Sequence, residues 1–485
     1  MFPPLSVSSR ILYNEKRQRR RKDENKCHRI RKQYGRFAQA VRKLSEIILD
    51  YTCISPVCMH AHSVLPDETS RYFFIGTRKT NPFLDFGEKP ISPESYRLEI
   101  KDGNVYIEGA DAAGALYGAV DFYAKYLVYA ESTHASAPYL KNPFEEEFAP
   151  FSLTGAPALS NRGLWTWGHV IYDFRGYIDN MVRLKMNTVI IWNDFAPVNA
   201  REMVAYAHEN NIRLFWGFPW GWDTDCREID IGNLEKYTRG IFEHYEKNYA
   251  ATGADGIYFQ TCTELNTESL NGVVIAEKVT EFVNHTAGVF YEKYPTLEIQ
   301  FGLHATSVRE KLEYLKNTDP RIRIVWENCG AFPFDYLPEN IASFDETAGF
   351  VEKIMRLRGE NEKFGAVLKG LTKLDWNAFE HQKGPYILGN GSGRLMENRV
   401  LRKQPIWRLL QAQWLKNGPK ALEMLRTIQK NAKDDIVVTA LVEDGMFEKN
   451  IYLPAALMGM MMWEREMEFS DILCEAALSR HVVFA

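Results

Sequence analysis

The sequence predicts an α/β protein built around a TIM (β/α)8 barrel. From about residue 161 to residue 391, short apolar runs alternate with amphipathic helical segments about every 30 residues, which is the spacing of repeated parallel βαβ units. Eight such units close into a barrel. A doubly wound open sheet is the alternative, but "RGLWTWGHV" at the first predicted strand lacks the GxGxxG phosphate loop typical of that fold.

The chain has 485 residues, more than one barrel needs, and its pattern changes on both sides of the barrel. On the N-terminal side, two stretches at helical spacing flank "SYRLEIKDGNVYIEGAD", which alternates around Asp102-Gly103 as a hairpin does. Beyond the barrel the patterns are helical. We therefore predict a basic, flexible N-terminal segment (1–34), a small α/β domain (35–140), the barrel (155–400) and a helical C-terminal region (401–485).

Eight runs are predicted as barrel strands. Most are short, apolar and rich in β-branched or aromatic residues, as strands buried on both faces are. The last is the weakest. In chain order they are "RGLWTWG", "NTVIIWND", "IRLFWGFPW", "ADGIYFQTCTE", "LEIQFGLHATS", "RIRIVWENCG", "KFGAVLKGLTK" and "PYILGNG".

Polar and aromatic side chains follow most of these runs, at the C-terminal strand ends where barrel enzymes hold their active sites. Glu264 ends the fourth run and Glu327 the sixth, while Asp335 and Asp375 lie in the loops that follow the sixth and seventh. We predict these four as catalytic candidates. The predicted substrate contacts are Arg162, Trp165, Trp167, Trp192, Asn193, Asp194, Trp216, Trp220, Trp222, Gln260, His304, Trp326, Lys369 and Trp376.

Aromatic rings beside carboxylates and amides suit a carbohydrate, because ring faces stack on sugar C–H groups while polar groups pair with hydroxyls. Cleavage of a glycosidic bond usually takes two carboxyl groups. We expect Glu264 to be the general acid and Glu327 the base or nucleophile, with Asp335 and Asp375 as the next candidates for that second role. Each residue also has a purely structural alternative: Glu264 would cap the next helix, and Glu327 would form an ion pair with Arg323.

Two stretches resemble known glycoside hydrolases. "ESYRLEIKDGNVYIEGADAAGALYGAVDFYAKYL", with its G-x-x-Y-G at Gly114–Gly118, is similar to the small domain that precedes the barrel in family 20 β-hexosaminidases and family 67 α-glucuronidases. "NRGLWTW" is similar to the family 20 barrel start. The resemblance covers about residues 90 to 265. The resemblance implies a divergent glycoside hydrolase related to these two families, with Arg162 as a substrate-binding residue and Glu264 as the general acid.

The chain departs from family 20 at one position. Thr263 stands where that family has the Asp that orients the acetamido group, which argues against substrate-assisted cleavage. The layout of family 67 puts the acid after strand four and further carboxylates on later strands, as here. A uronate also needs basic contacts, for which Arg162, His304 and Lys369 are the candidates.

Composition excludes several other classes. A net charge of −4 implies no general attraction to nucleic acid or anionic membrane, and seven scattered cysteines without CxxC spacing argue against a disulfide framework. No secretory leader or HExxH motif is visible. We expect no metal or cofactor, a cytoplasmic location and an oligosaccharide or glycoside substrate, without nucleic-acid or membrane partners; a homodimer is compatible with the sequence.

The prediction from sequence is a glycoside hydrolase that cleaves a terminal sugar of the hexosaminide or uronide type by carboxylate acid/base catalysis. The alternative is a catalytically inactive carbohydrate-binding protein on the same barrel. A barrel aldolase is a third reading, in which Lys369 would form the Schiff base.

Overall fold

A computed structural model divides the chain into two compact units, Met1–Pro157 and Ala158–Ala485. The structure describes residues 9–13, 37–63, 65–67, 70–132, 142–167, 171–193, 195–221, 234–261, 269–270, 272–304, 311–328, 343–359, 362–372, 384–432, 435–442, 445–464 and 466–485. No helix in these ranges combines the length and apolar character needed to span a bilayer.

The first unit is built on a six-stranded mixed sheet. Its elements are β1 (Ser9–Tyr13), α1 (Ala38–Thr52), β2 (Val57–His60), β3 (Arg71–Gly76), β4 (Tyr96–Lys101), β5 (Asn104–Gly109), α2 (Ala112–Asp121), α3 (Val128–Ser132) and β6 (Phe151–Gly155). The strand order is β2-β1-β3-β5-β4-β6. The predicted hairpin is confirmed as β4 and β5, and Asp102 and Gly103 at its turn both take positive φ, 51° and 72°.

Both predicted ends of this domain differ from the structure. Strand β1 lies within residues 1–34, which we expected to be flexible, and it pairs in parallel with β2 and β3. Strand β6 lies beyond residue 140 and pairs antiparallel with β4. The sequence pattern missed both because each strand is held by partners more than 40 residues away in the chain.

The second unit contains a closed barrel of eight strands, which confirms the predicted fold class. All its strand pairs are parallel. In chain order the elements up to the seventh barrel strand are β7 (Asn161–Trp167), α4 (Phe174–Arg183), β8 (Thr188–Trp192), α5 (Ala200–Glu209), β9 (Arg213–Gly217), α6 (Leu234–Asn248), β10 (Gly256–Phe259), β11 (Ser269–Leu270), β12 (Val273–Val274), α7 (Ile275–Lys293), β13 (Glu298–His304), α8 (Leu312–Leu315), β14 (Arg323–Glu327), α9 (Phe344–Met355) and β15 (Phe364–Leu371).

The chain continues through a long helix into the last barrel strand. These elements are α10 (Gly393–Asn431), β16 (Ile436–Val442), β17 (Ile451–Tyr452), α11 (Leu453–Trp463), α12 (Phe469–Leu478) and β18 (Val482–Val483). The barrel order is β10-β13-β14-β15-β16-β7-β8-β9. Strand β16 pairs with β15 on one side and β7 on the other, and so closes the ring.

The predicted eighth strand, "PYILGNG", was therefore wrong, and the barrel extends past residue 400. The backbone of this segment bonds elsewhere: Gly389 O accepts from the N–H of Phe174, the first residue of α4, and Tyr386 O accepts from the N–H of Val198 in the loop before α5. The real eighth strand, "IVVTALV", is buried at all seven positions, as a parallel strand should be. The 39-residue helix α10 displaced it from the 30-residue spacing that guided the prediction.

Alternate residues of each strand fill the barrel interior. The interior cluster takes one or two side chains from seven of the eight strands: Trp165, Ile190, Trp192, Phe215, Tyr258, Val325, Val367 and Leu441. Because side chains alternate along a strand, this set fixes which residues face inward and which face the surrounding helices.

Candidate active site

Glu327 lies at the C-terminal end of β14 with its side chain inside the barrel. It is two residues after Val325, a member of the interior cluster, and therefore shares its inward face. Its relative exposure is 0%. A fully buried carboxyl group at the catalytic end of a TIM barrel needs specific partners, because burying an unpaired charge is very costly.

Two strands supply those partners. The carboxylate atom Oε1 of Glu327 accepts hydrogen bonds from the Tyr258 hydroxyl and, at 2.5 Å, from the Gln260 side-chain amide. On the other side, the Lys369 ammonium lies 3.5 Å from Oε2. Strand β10 carries Tyr258, with Gln260 just beyond its end, and β15 carries Lys369, so three strands converge on one carboxylate.

A glycine on the intervening strand makes this convergence possible. Gly302 lies on β13, between β10 and β14. A Cβ atom at this position would lie 2.5 Å from Glu327 Oε1 and closer still to the Tyr258 hydroxyl. Any larger side chain would therefore occupy the space in which the hydroxyl meets the carboxylate.

The opposite end of the barrel is closed by a separate ionic network. Glu298 on β13 accepts from Arg213 at 2.6 Å and from Arg323 at 2.9 Å, and Arg323 also binds Asp435 at 2.9 Å. Burial by itself would raise the pKa of Glu298, but Arg323 and Arg213 outweigh it and lower this pKa to about 2. Arg323 is thus paired at the N-terminal strand ends, which removes the alternative in which it neutralises Glu327.

The tryptophans separate into two groups. Trp165 and Trp192 belong to the interior cluster, with ring centroids 5.9 Å and 6.2 Å from that of Tyr258. Trp216 faces the helices instead, where its indole N–H donates to the Thr252 hydroxyl at 3.1 Å. Trp220 stacks on Phe259, with centroids 3.7 Å apart.

The prediction that Trp216, Trp220 and Trp326 contact substrate was therefore wrong. Trp326 lies between inward-facing Val325 and Glu327, so strand alternation turns it outward. Placement near a strand end was the signal we used, and it does not distinguish the two faces of the strand.

Arg162 also differs from expectation. Its guanidinium donates to the backbone carbonyls of Leu159 and Ser160, and it lies 4.8 Å from the ring centroid of Trp463 on α11. This places Arg162 near the N-terminal end of β7, on the face turned toward α11. The substrate-binding role implied by the family resemblance is wrong for this residue.

For the remaining predicted residues, the catalytic and substrate-binding roles stay predictions. Asn193 is buried just beyond β8, and its backbone carbonyl accepts from the Tyr249 hydroxyl at 2.8 Å. Its role in binding substrate stays a prediction. Glu264, Asp335, Asp375, Asp194, Trp222 and Trp376 lie outside the described residues, as do the side chains of Trp167 and His304.

The sequence analysis missed Tyr258, although the signal was present. In "GIYFQ", Tyr258 and Gln260 are two residues apart, so both side chains point to the same side of β10. Because Gln260 is predicted to contact substrate, strand alternation places Tyr258 on the same side.

Searches with protein-family models and among curated proteins find no match for the sequence. The solved structures do include similar folds. A mutant β-hexosaminidase of Streptomyces plicatus in complex with product (GlcNAc) has a TM-score of 0.52 at 11% identity, over 99% of this chain and 94% of that one. A GH20 β-N-acetylhexosaminidase from Streptomyces coelicolor A3(2) has a TM-score of 0.51 at 10% identity, over 98% and 94%.

Two further similar structures carry other family labels. CpGH84B has a TM-score of 0.51 at 11% identity, covering 90% of this chain and 68% of that one. A GH138 enzyme targeting pectin rhamnogalacturonan II has a TM-score of 0.51 at 12% identity, covering 96% and 51%. These identities support a shared fold. The chain therefore has the TIM-barrel fold of glycoside hydrolase structures, without assignment to one family.

Proposed function

We propose that this protein is an O-glycosyl hydrolase that removes a terminal sugar of the hexosaminide or uronide type by carboxylate acid/base catalysis. The observation that carries the proposal is the buried Glu327 carboxylate at the C-terminal end of the barrel, held by Tyr258, Gln260 and Lys369. The resemblance of the fold to glycoside hydrolases supports the same reaction class.

Glu327 is proposed as the base or nucleophile and Glu264 as the acid. Glu264 follows Gln260 by four residues in the chain, on the segment that leaves the catalytic end of β10. As nucleophile, Glu327 forms a bond to the anomeric carbon while the glycosidic C–O bond breaks and the leaving oxygen takes the proton of Glu264. Water then adds to the anomeric carbon, releases Glu327 and returns a proton to Glu264.

The inverting alternative uses the same groups differently. Glu327 then takes a proton from water, whose oxygen attacks the anomeric carbon in a single displacement. Asp335 and Asp375 are proposed as the next candidates for this second carboxyl role. Proton NMR of the first-formed product distinguishes the two courses, because retention and inversion give opposite anomers.

A panel of nitrophenyl glycosides that includes N-acetylhexosaminides and glucuronides tests the activity. Glu327→Gln and Glu264→Gln should each lower kcat by a factor of about 10²–10⁴, as expected for loss of a general acid, base or nucleophile. Glu298→Gln is a matched control, because Glu298 is also a strand-borne carboxylate inside the barrel but lies at the opposite end. It should retain kcat at 25 °C.

The outcome also separates an enzyme from a binding protein. An enzyme with Glu264→Gln or Glu327→Gln keeps its affinity for the glycoside, measured by calorimetry, while turnover is lost. If the wild-type protein binds a sugar and hydrolyses none of the panel, the inactive carbohydrate-binding protein is the correct reading. If all three variants turn over equally, the assignment of the catalytic carboxylates fails.

A further inference from the structure

The two oxygens of Glu327 have different surroundings. Atom Oε1 accepts hydrogen bonds from Tyr258 and Gln260. Atom Oε2 accepts none from the described residues, although it is fully buried. The lone pairs of Oε1 are therefore committed to the protein, whereas those of Oε2 remain available for a reacting atom.

Lys369 faces the uncommitted oxygen at a separation that favours charge interaction over hydrogen bonding. Its ammonium nitrogen lies 3.5 Å from Oε2, within ion-pair range but beyond the usual 2.7–2.9 Å of a charge-assisted hydrogen bond. Lys369 itself is only 7% exposed. At this separation in a buried site, opposite charges still attract strongly.

We propose that Oε2 is the reacting oxygen of Glu327 and that Lys369 is a positioning residue, which faces this oxygen with an opposite charge without occupying its lone pairs. In this proposal Lys369 acts through Glu327 rather than as the substrate contact expected from sequence. This inference rests on the proposed function, because it assigns a role in that reaction.

The other polar groups around Glu327 serve different purposes. Tyr258 and Gln260 fix the orientation of the carboxylate through Oε1. In the β13–β14 register Glu327 pairs with His304, whose side chain lies outside the described residues. Tyr258 and Gln260 are neutral donors, whereas Lys369 brings an ammonium group to the carboxylate, so its removal should act mainly on the electrostatic surroundings of Glu327.

The experiment compares Lys369→Met and Lys369→Arg in the full-length protein. The pH profile of kcat/KM is measured with the nitrophenyl glycoside that the wild-type protein hydrolyses best. Lys369→Met should move the acid limb of the profile to higher pH by about 1–3 units, the shift expected on losing an opposite charge at this range. Lys369→Arg, which keeps the charge, should restore most of the wild-type profile.

Lys185→Met is the matched control. Lys185 is buried to a similar extent, at 6% exposure, but its ammonium lies over the ring of Trp463 on α11, 4.8 Å from the centroid. A general effect of removing a buried lysine would move the limb in both Met variants. The proposal requires that only the Lys369 variant move it.

A second readout keeps this test separate from the proposed function. Carbon-13 labelling of glutamate, with Glu327→Gln to assign the signal, gives the midpoint of the carboxyl titration by NMR without turnover. A higher midpoint in Lys369→Met supports the role of Lys369 even if no panel glycoside is hydrolysed. An unchanged midpoint together with an unchanged acid limb overturns the inference, while activity that depends on Glu327 leaves the proposed function standing.

Discussion

Replacing Glu298 by Gln should destabilise the barrel in a pH-dependent manner. Glu298 receives ion pairs from Arg213 and Arg323, and these outweigh the opposing effect of burial to lower its pKa from the ordinary 4.5 to about 2. At about 1.4 kcal/mol per pKa unit, this difference corresponds to about 3 kcal/mol of stability at neutral pH. The side chain is 20% exposed, so solvent screening makes this an upper estimate.

The sign follows from the lowered pKa. A carboxyl group that is more acidic in the folded state contributes its full stability above its unfolded pKa, near 4.5, and loses it as the pH falls toward 2. The deficit of Glu298→Gln relative to wild type should therefore be largest at pH 6–7 and shrink below about pH 4.5.

Urea unfolding followed by tryptophan fluorescence measures this deficit. All 11 tryptophans lie at or after Trp165, so the signal reports on the unit that contains the barrel. The free energy of unfolding is compared for the two proteins at pH 7 and at pH 3. A deficit that is the same at both pH values would refute the ionic explanation and assign the loss to packing.

Two further substitutions test the site and the orientation of its strands. Gly302→Ala should lower kcat at least tenfold and cost about 1–3 kcal/mol in urea unfolding, because the added methyl group displaces Tyr258 or Glu327. Gly288→Ala in α7, where a Cβ meets no atom within 4 Å, is its control and should leave kcat unchanged. Trp216→Phe should lower the free energy of unfolding by about 1 kcal/mol, because the hydrogen bond of the indole N–H is lost. Its kcat/KM should stay at the wild-type value, because this side chain faces the helices. A large fall in kcat/KM would contradict that orientation.

Much of the barrel could be predicted because its strands are local patterns. A run such as "NTVIIWND" is recognisable from its own residues, and seven of the eight predicted strands overlap those of the structure. The eighth was missed because its position depends on the length of α10, which the repeat spacing did not anticipate. Strand β1 was missed for a related reason, since its partners lie far along the chain.

By itself, the sequence determined the class of fold and the presence of Glu327 at a strand end, because periodicity and strand length are properties of neighbouring residues. Only the tertiary structure decided which face each strand turns inward. That choice separates Trp192 from Trp216 and depends on the register of all eight strands around the closed ring. It also decided that Tyr258 and Lys369 meet at Glu327, because they come from three strands that closure of the barrel brings together.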